Sequence, residues 1–344
     1  MTTDPIDRLL RMTRLMWSNV DRAARARQME EWALLHRVRA DGSNGLPEPV
    51  RFAPDRGSSL DLDNAYTAPE RGDILVSSTA RFPVMNAAEC LVGAAQVYGA
   101  AFQQKRTSTL STGILCRSAI ENAAKTIWLL ADPRRTVRRA RCLGFVEREI
   151  GYQKGYIAVE TRFLASRNDE RLPTDRERFD RAERQYRERL NYLTALPKSA
   201  RQRPSTSYEF FVNWAGDWID KNPPPHVTEA DGLVRGMATS AERFYAVGSG
   251  FVHGYKWMSA YLGTEEDVLA QVADSLSAAL IMTECAVALY EAQATHPARP
   301  VVRQKNYPGY LEPTVAAWRP LYEQPGAAFP APLAMPSQTG SVAS

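Results

Sequence analysis

The chain has 344 residues, enough for one large domain or two small ones with a substantial core. Apolar residues make up 44% of it and charged residues 24%, which excludes wholesale disorder. The formal charge of +4 is unevenly distributed, because residues 133–203 hold 19 Arg and Lys against 10 Asp and Glu. An excess of this kind indicates RNA or another polyanion as a partner.

The first predicted element is an amphipathic helix over residues 5–39, within an N-terminal unit that spans residues 1–40. Apolar side chains recur there at helical spacing, with arginines and aspartates between them. Asp4, Asp7 and Arg8 interrupt the first turns, which excludes a secretory signal or transit peptide and favours a cytoplasmic protein. We expect this helix to be an appendage that docks on the body or contacts a protein partner or a second copy.

The rest of the chain divides into a linker, a body and a tail. Residues 41–80 are predicted to be an irregular linker, because glycines and prolines break every periodic pattern in them. Residues 81–296 show helical periodicity and no useful strand pattern, so the predicted fold class is an all-α multi-helix bundle. About seven core helices are expected, over 83–104, 107–131, 134–166, 174–196, 206–220, 238–262 and 265–295. Residues 297–344 are predicted to be an irregular Pro-rich tail, disordered beyond about 325.

The last core helix has the best-defined start. Thr264 is its predicted N-cap, and Asp267 completes a start that resembles a capping box. Because Asp274 and Glu284 lie within its apolar run, it is interpreted as a core helix and not as a membrane span. The four cysteines are far apart, and they are interpreted as buried thiols of a reducing compartment.

Two other core helices carry polar residues on apolar faces. Arg117 and Glu121 lie one turn apart in the second core helix, which is apolar nearly all round. Ser249 and His253 have the same spacing in the sixth core helix. Since buried charges must pair and find further hydrogen bonds, we expect the two helices to pack together and share one buried polar cluster.

Three glycines lie beside this serine and histidine in the sixth core helix. They are Gly248, Gly250 and Gly254, and each glycine inside a helix costs roughly 1 kcal/mol relative to alanine. Such a cost indicates that another backbone or a ligand approaches closely.

The polar cluster has three interpretations. It is a structural device that fixes the register of two helices, a functional pocket, or, if the helical phase is misassigned, a set of surface residues. In the second interpretation His253 is a general acid or base, and Arg117, Glu121 and Ser249 are the other candidate catalytic residues.

The two helices resemble those of a broad group of bacterial and phage helical proteins with Arg-Ser-x-x-Glu and Ser-x-x-x-His-Gly motifs. Here the motifs are Arg117-Ser118-x-x-Glu121 and Ser249-x-x-x-His253-Gly254. This group resembles the HEPN superfamily of helical bundles, which includes toxin and phage-defence ribonucleases. The resemblance implies a helical bundle over residues 83–295 and a metal-independent ribonuclease that uses His253. HEPN ribonucleases place an arginine closer to the histidine than Arg243 is here, so the resemblance concerns the fold more than the activity.

A second candidate site is a run of arginines at the start of the third core helix. Few acids are interleaved, and the run is a candidate phosphate-binding patch for RNA or, alternatively, a solvated helix face. Its members are Arg134, Arg135, Arg138, Arg139 and Arg141. The sequence has no metal-ligand spacing, phosphate-binding glycine loop or nucleophile elbow, so no metal and no cofactor are predicted.

Three hypotheses of function follow from these patterns. The first is a helical binding or regulatory protein of a bacterium or mobile element, in which the polar cluster is structural. The second is a HEPN-like ribonuclease that uses His253 with Arg117 and Glu121. The third is an interaction adaptor that works through the N-terminal helix and the Pro-rich tail.

Overall fold

The computed structural model describes residues 5–33, 53–67, 75–106, 110–228, 236–296 and 307–323. Over these residues the protein is an all-α multi-helix bundle without strands, as the periodicity predicts. The α-helices are α1 (Pro5–Arg27), α2 (Ser59–Thr67), α3 (Val76–Gln103), α4 (Leu110–Leu130), α5 (Arg135–Ala165), α6 (Leu172–Ala195), α7 (Tyr208–Lys221), α8 (Gly236–Val252), α9 (Glu265–Ala294) and α10 (Glu312–Trp318). Short 3-10 helices cover Gln28–Trp32, Lys198–Ala200, Lys256–Tyr261, Gly309–Leu311 and Arg319–Tyr322. The predicted core helices correspond to α3 through α9.

Helix α9 lies at the centre of the bundle, and α1, α3, α4 and α10 pack around it. It is long and apolar enough to cross a membrane, but 94% of its most apolar window is buried inside the protein, as in the core helix of a soluble protein. The predicted capping box is formed. Thr264 Oγ1 accepts from the backbone N–H of Asp267, and the Asp267 carboxylate accepts from the backbone N–H of Thr264.

Helix α1 docks on this core through its C-terminal half. The side chain of Asn19, which is buried, donates a 3.1 Å hydrogen bond to the backbone carbonyl of Leu269. The predicted helix ends at Arg27 and continues as a 3-10 helix to Trp32, which is fully buried. The remaining predicted residues, 34–39, lie outside the described part of the chain.

The prediction of an irregular linker over residues 41–80 is wrong for α2 and for the first turn of α3. Leu60 and Asp63 lie on one face of α2 and are both fully buried, so tertiary contacts stabilise a helix too short to show in the sequence pattern. Helix α3 starts at Val76 and contains Pro83, which the sequence pattern had placed at its beginning.

The prediction of an irregular tail over residues 297–344 is wrong for the part that the structure describes. Residues 309–322 form a short helical segment that packs against α9. Its buried apolar side chains recur at helical spacing and are Leu311, Val315, Trp318 and Tyr322. The residues beyond 325, for which disorder is predicted, lie outside the described residues.

The four cysteines are free thiols, and three of them are buried. Burial raises the pKa of Cys90 to about 11 and that of Cys142 to about 12. Because the thiolate is the reactive form, burial and the raised pKa disfavour reaction of these two thiols at neutral pH.

Candidate functional site

Four side chains join α4 to α8 in a cluster that we call the clamp: Arg117, Glu121, Tyr245 and Ser249. Arg117 Nε donates to Ser249 Oγ at 3.0 Å, and Arg117 Nη2 donates to Tyr245 Oη at 3.0 Å. Arg117 Nη1 lies 3.5 Å from Glu121 Oε2. The structure therefore brings Arg117, Glu121 and Ser249 together as the sequence predicts, and each guanidinium nitrogen has a partner.

The clamp lies at the edge of the core, since the side chains of Arg117 and Glu121 are 16% and 14% exposed. Glu121 also pairs with Lys125 at 2.9 Å, and the Lys125 ammonium lies 4.5 Å from the ring centre of Tyr208 on α7. Burial raises the pKa of Tyr245 despite the nearby guanidinium, so its phenol stays neutral and accepts the hydrogen bond. Sequence reasoning missed the contributions of Lys125 and Tyr208, although the four-residue spacing of Glu121 and Lys125 was an available signal.

His253 is not part of this cluster, and the prediction that it is buried there is wrong. Its side chain is exposed, because α8 ends at Val252 and does not carry the histidine onto the face that meets α4. The imidazole stacks on Tyr255 with ring centres 5.4 Å apart. No described residue forms a hydrogen bond with its ring nitrogens.

The glycine after this histidine ends the helix. Gly254 has a φ of +62°, in the left-handed region that favours glycine. The backbone N–H of Tyr255 donates to the carbonyl of Gly250, and that of Gly254 donates to the carbonyl of Phe251. These two bonds define a Schellman motif, so the His-Gly pair is a helix C-cap and the predicted helix over 238–262 is interrupted.

The other two glycines of this helix are sites of close packing, as the free-energy cost of glycine within a helix predicts. A Cβ on Gly248 would lie 2.6 Å from the Cβ of Arg117, so glycine lets α4 approach α8 at the clamp. A Cβ on Gly250 would lie 2.8 Å from the sulfur of Met258, in the 3-10 helix that folds back on α8.

The segment that starts at the last residue of α8 is rich in exposed aromatic side chains, and we call residues 252–261 the aromatic turn. Its exposed large apolar residues are Val252 (43% exposed), Tyr255 (52%), Trp257 (49%) and Tyr261 (70%). The rings of Trp257 and Tyr261 meet edge to face at 5.8 Å, and Met258, which lies between them in sequence, is buried.

The predicted arginine patch does not form an open phosphate-binding surface. Arg138 is 1% exposed, and both it and Arg135 pair with the fully buried Asp63 of α2. Arg134, the most exposed member, makes two hydrogen bonds to Asp132 through its guanidinium. Internal pairing therefore occupies three of the five arginines, and the partner of two of them, Asp63, is too distant in sequence for the pattern to indicate it.

The last two arginines of that run are held by aromatic rings. The Arg141 guanidinium is buried and lies 4.9 Å from the ring centres of both Trp128 and Trp214. Desolvation lowers the pKa of Arg141. Arg139 is half-buried and lies 5.4 Å from the ring centre of Tyr66. These cation–π contacts stabilise the bundle, and they engage two guanidinium groups that the sequence analysis offered as RNA contacts.

A second buried polar cluster centres on Glu284 of α9. Arg25 donates two hydrogen bonds to its carboxylate, at 2.7 and 2.6 Å, and the Tyr310 hydroxyl donates to it as well. His226 Nε2 lies 3.2 Å from the same carboxylate, and His226 Nδ1 is 2.6 Å from Thr314 Oγ1. The sequence patterns did not indicate this cluster, which ties α1 and the C-terminal segment to α9.

The described residues contain no group of His, Cys, Asp and Glu side chains that could hold a metal ion. Comparison with known proteins found no family model, no curated protein and no solved structure that matches the chain.

Proposed function

We propose that the protein is a cytoplasmic helical binding protein whose aromatic turn is a protein-binding surface. The observation that carries the proposal is the exposure of four large apolar side chains, 43–70% each, on one ten-residue segment. Contiguous exposed apolar surface of this kind marks interaction sites, and Tyr and Trp are enriched among the residues that dominate binding energy. The four free cysteines support a reducing compartment.

The position of the aromatic turn supports this proposal. The Schellman motif fixes its entry, and Met258 anchors it against Gly250. The clamp holds α8 one and two turns upstream, through Ser249 and Tyr245. A surface that is fixed before binding loses less conformational entropy on binding, so these contacts favour affinity.

The charge around the aromatic turn favours a protein partner over RNA. Stacking platforms for nucleic acids combine aromatic rings with a groove of cations. Residues 252–261 contain one lysine, Lys256, and no arginine. Arg243, nine residues before the turn, pairs with Asp274, and the arginines of the run at residues 134–141 pair with Asp63 or Asp132 or pack on aromatic rings.

Site-specific photo-cross-linking in the native host tests this function. A benzophenone amino acid at Tyr261 should yield a discrete heterologous adduct, and Trp257→Ala in the same chain should reduce its yield. The matched control is the same photoprobe at Tyr156, a tyrosine on α5 with a similar exposure of 60%. Equal adduct patterns from Tyr261 and Tyr156, or no adduct from Tyr261, would contradict the proposal.

A HEPN-like ribonuclease is a second candidate, and the exposure of His253 to solvent favours it. A general acid or base must reach its substrate, and a buried histidine would not. Against this, the Arg117 nitrogens that such a site would aim at a phosphate already have three partners in the clamp. Incubation of labelled RNA with the purified wild type and with His253→Ala separates the binding protein from the ribonuclease. Cleavage by the wild type that is lost in a folded variant would favour the ribonuclease.

A further inference from the structure

The outward face of α1 is a second exposed apolar surface, on the side opposite to the one that docks on α9. Ile6, Leu10, Thr13 and Trp17 follow one another at spacings of four, three and four residues. Their exposures are 66% for Ile6, 50% for Leu10 and 64% for Trp17, and Thr13 is also exposed. This spacing is the 3.5-residue repeat by which two helices pack along a shared seam.

The body of the protein holds this face outward. Arg11 Nε donates a 2.9 Å hydrogen bond to Glu266 at the start of α9, and Asn19 bonds to the α9 backbone two turns further on. The Thr13 hydroxyl donates to the carbonyl of Leu9 within α1, so this hydroxyl is already satisfied where a partner helix would pack. The exposed seam is therefore fixed on the bundle and is not a free terminal helix.

The charges beside the seam complement those of an identical helix. Asp7 and Arg14 flank it on the same side, seven residues apart, and within the described residues neither forms an ion pair. In an antiparallel pair in which Leu10 packs on Thr13 of a second copy, Asp7 of each copy lies opposite Arg14 of the other. The two-fold axis then creates both pairs at once.

The opposite flank of the seam is apolar and also self-complementary. Leu9 is 64% exposed and Met16 is half-buried. The same antiparallel register places Leu9 of each copy beside Met16 of the other. An identical helix thus covers the apolar seam, pairs both charges and extends the contact through its flank.

From these features we propose that α1 is a homodimerisation helix, which pairs antiparallel with α1 of a second copy of this chain. Ile6 packs on Trp17 of the second copy at the two ends of the contact, and Leu10 packs on Thr13 at its centre. The proposal uses residues other than those of the aromatic turn, so it goes beyond the proposed function and does not depend on it.

Charge-exchange variants test whether a second copy of α1 binds the seam, and whether it binds in the proposed antiparallel register. The full chain and its Asp7→Arg, Arg14→Asp and double variants are compared by sedimentation equilibrium over the micromolar range, with helix content followed by circular dichroism. Each single variant converts both symmetric pairs into like-charge contacts, so the dissociation constant should rise roughly tenfold or more. The double variant should restore it to near the wild-type value. Asp180→Arg, the same charge change on an exposed residue of α6, is the control and should leave dimerisation unchanged.

Three results would overturn this inference. A wild-type chain that stays monomeric throughout the range would exclude self-association. Dimers insensitive to both single variants would place the contact on another surface, such as the exposed Tyr152 and Tyr156 of α5. Failure of the double variant to restore the dimer would exclude the antiparallel register in which Asp7 lies opposite Arg14. None of these results affects photo-cross-linking at Tyr261, so the two proposals fail separately.

Discussion

Replacement of Arg117 by methionine removes the guanidinium of the clamp and keeps the aliphatic packing against Gly248. The change deletes two 3.0 Å hydrogen bonds from a charged donor and one 3.5 Å ion pair. Ser249 still donates to the Tyr245 carbonyl, so the loss concentrates on the Tyr245 hydroxyl and on Glu121. Hydrogen bonds to charged groups contribute about 1.5–3 kcal/mol each, and partial exposure reduces this. The free energy of unfolding should therefore fall by about 2–4 kcal/mol.

Equilibrium unfolding in urea measures this change, with Arg243→Met as the matched control. Arg243 pairs with Asp274 at 3.1 Å, but the two side chains are 61% and 43% exposed. Solvent screening reduces such a pair to roughly 0–1 kcal/mol. If Arg117→Met costs no more than Arg243→Met, then the clamp does not fix α8 against α4 and the reasoning is refuted.

Three further predictions concern stability and thiol chemistry. Gly248→Ala should lower the free energy of unfolding in urea, because the added methyl meets the clamp arginine at 2.6 Å. The control Gly155→Ala, in open space on α5, should raise it by roughly 0.5–1 kcal/mol. The reverse order would contradict the close packing at Gly248. Asp63→Asn leaves the buried Arg138 without its anion and should cost about 3–5 kcal/mol in the same assay, and a loss below about 1 kcal/mol would refute the pairing. Cys90 should react slowly with a thiol reagent at pH 8. Labelling as fast as in urea would contradict this protection. Because its folded pKa is raised to about 11, Cys90 contributes stability that is complete below the unfolded thiol pKa of about 8.5 and is lost as the pH rises toward 11.

The parts of the fold that sequence reasoning recovers are those set by local signals. Thr264 and Asp267 lie three residues apart and cap α9 as predicted. Arg117 and Glu121 lie one turn apart on an apolar helix, and this spacing located the clamp. In both cases the decisive contacts join residues of one helix or follow from the burial of one face.

The parts of the fold that sequence reasoning misses depend on contacts between distant residues or on backbone conformation. Arg135 and Arg138 of the arginine run pair with Asp63, which lies 72 residues before Arg135 and on a helix that the sequence did not indicate. Periodicity places His253 in the core because it continues the helical phase through Gly254, whose positive φ ends α8 in the structure. Neither a distant counter-ion nor a helix end inside an apolar run is visible in periodicity.

The affinity of the partner captured at Tyr261 for chains altered in the aromatic turn tests the binding function most directly. Titration calorimetry with Trp257→Ala should show at least about a tenfold loss, because a central aromatic residue of an interface contributes more than about 1.4 kcal/mol. Tyr156→Ala, on α5, should bind as the wild type does. Unchanged affinity for Trp257→Ala, or an equal loss in both variants, would contradict the assignment of the aromatic turn as the binding surface.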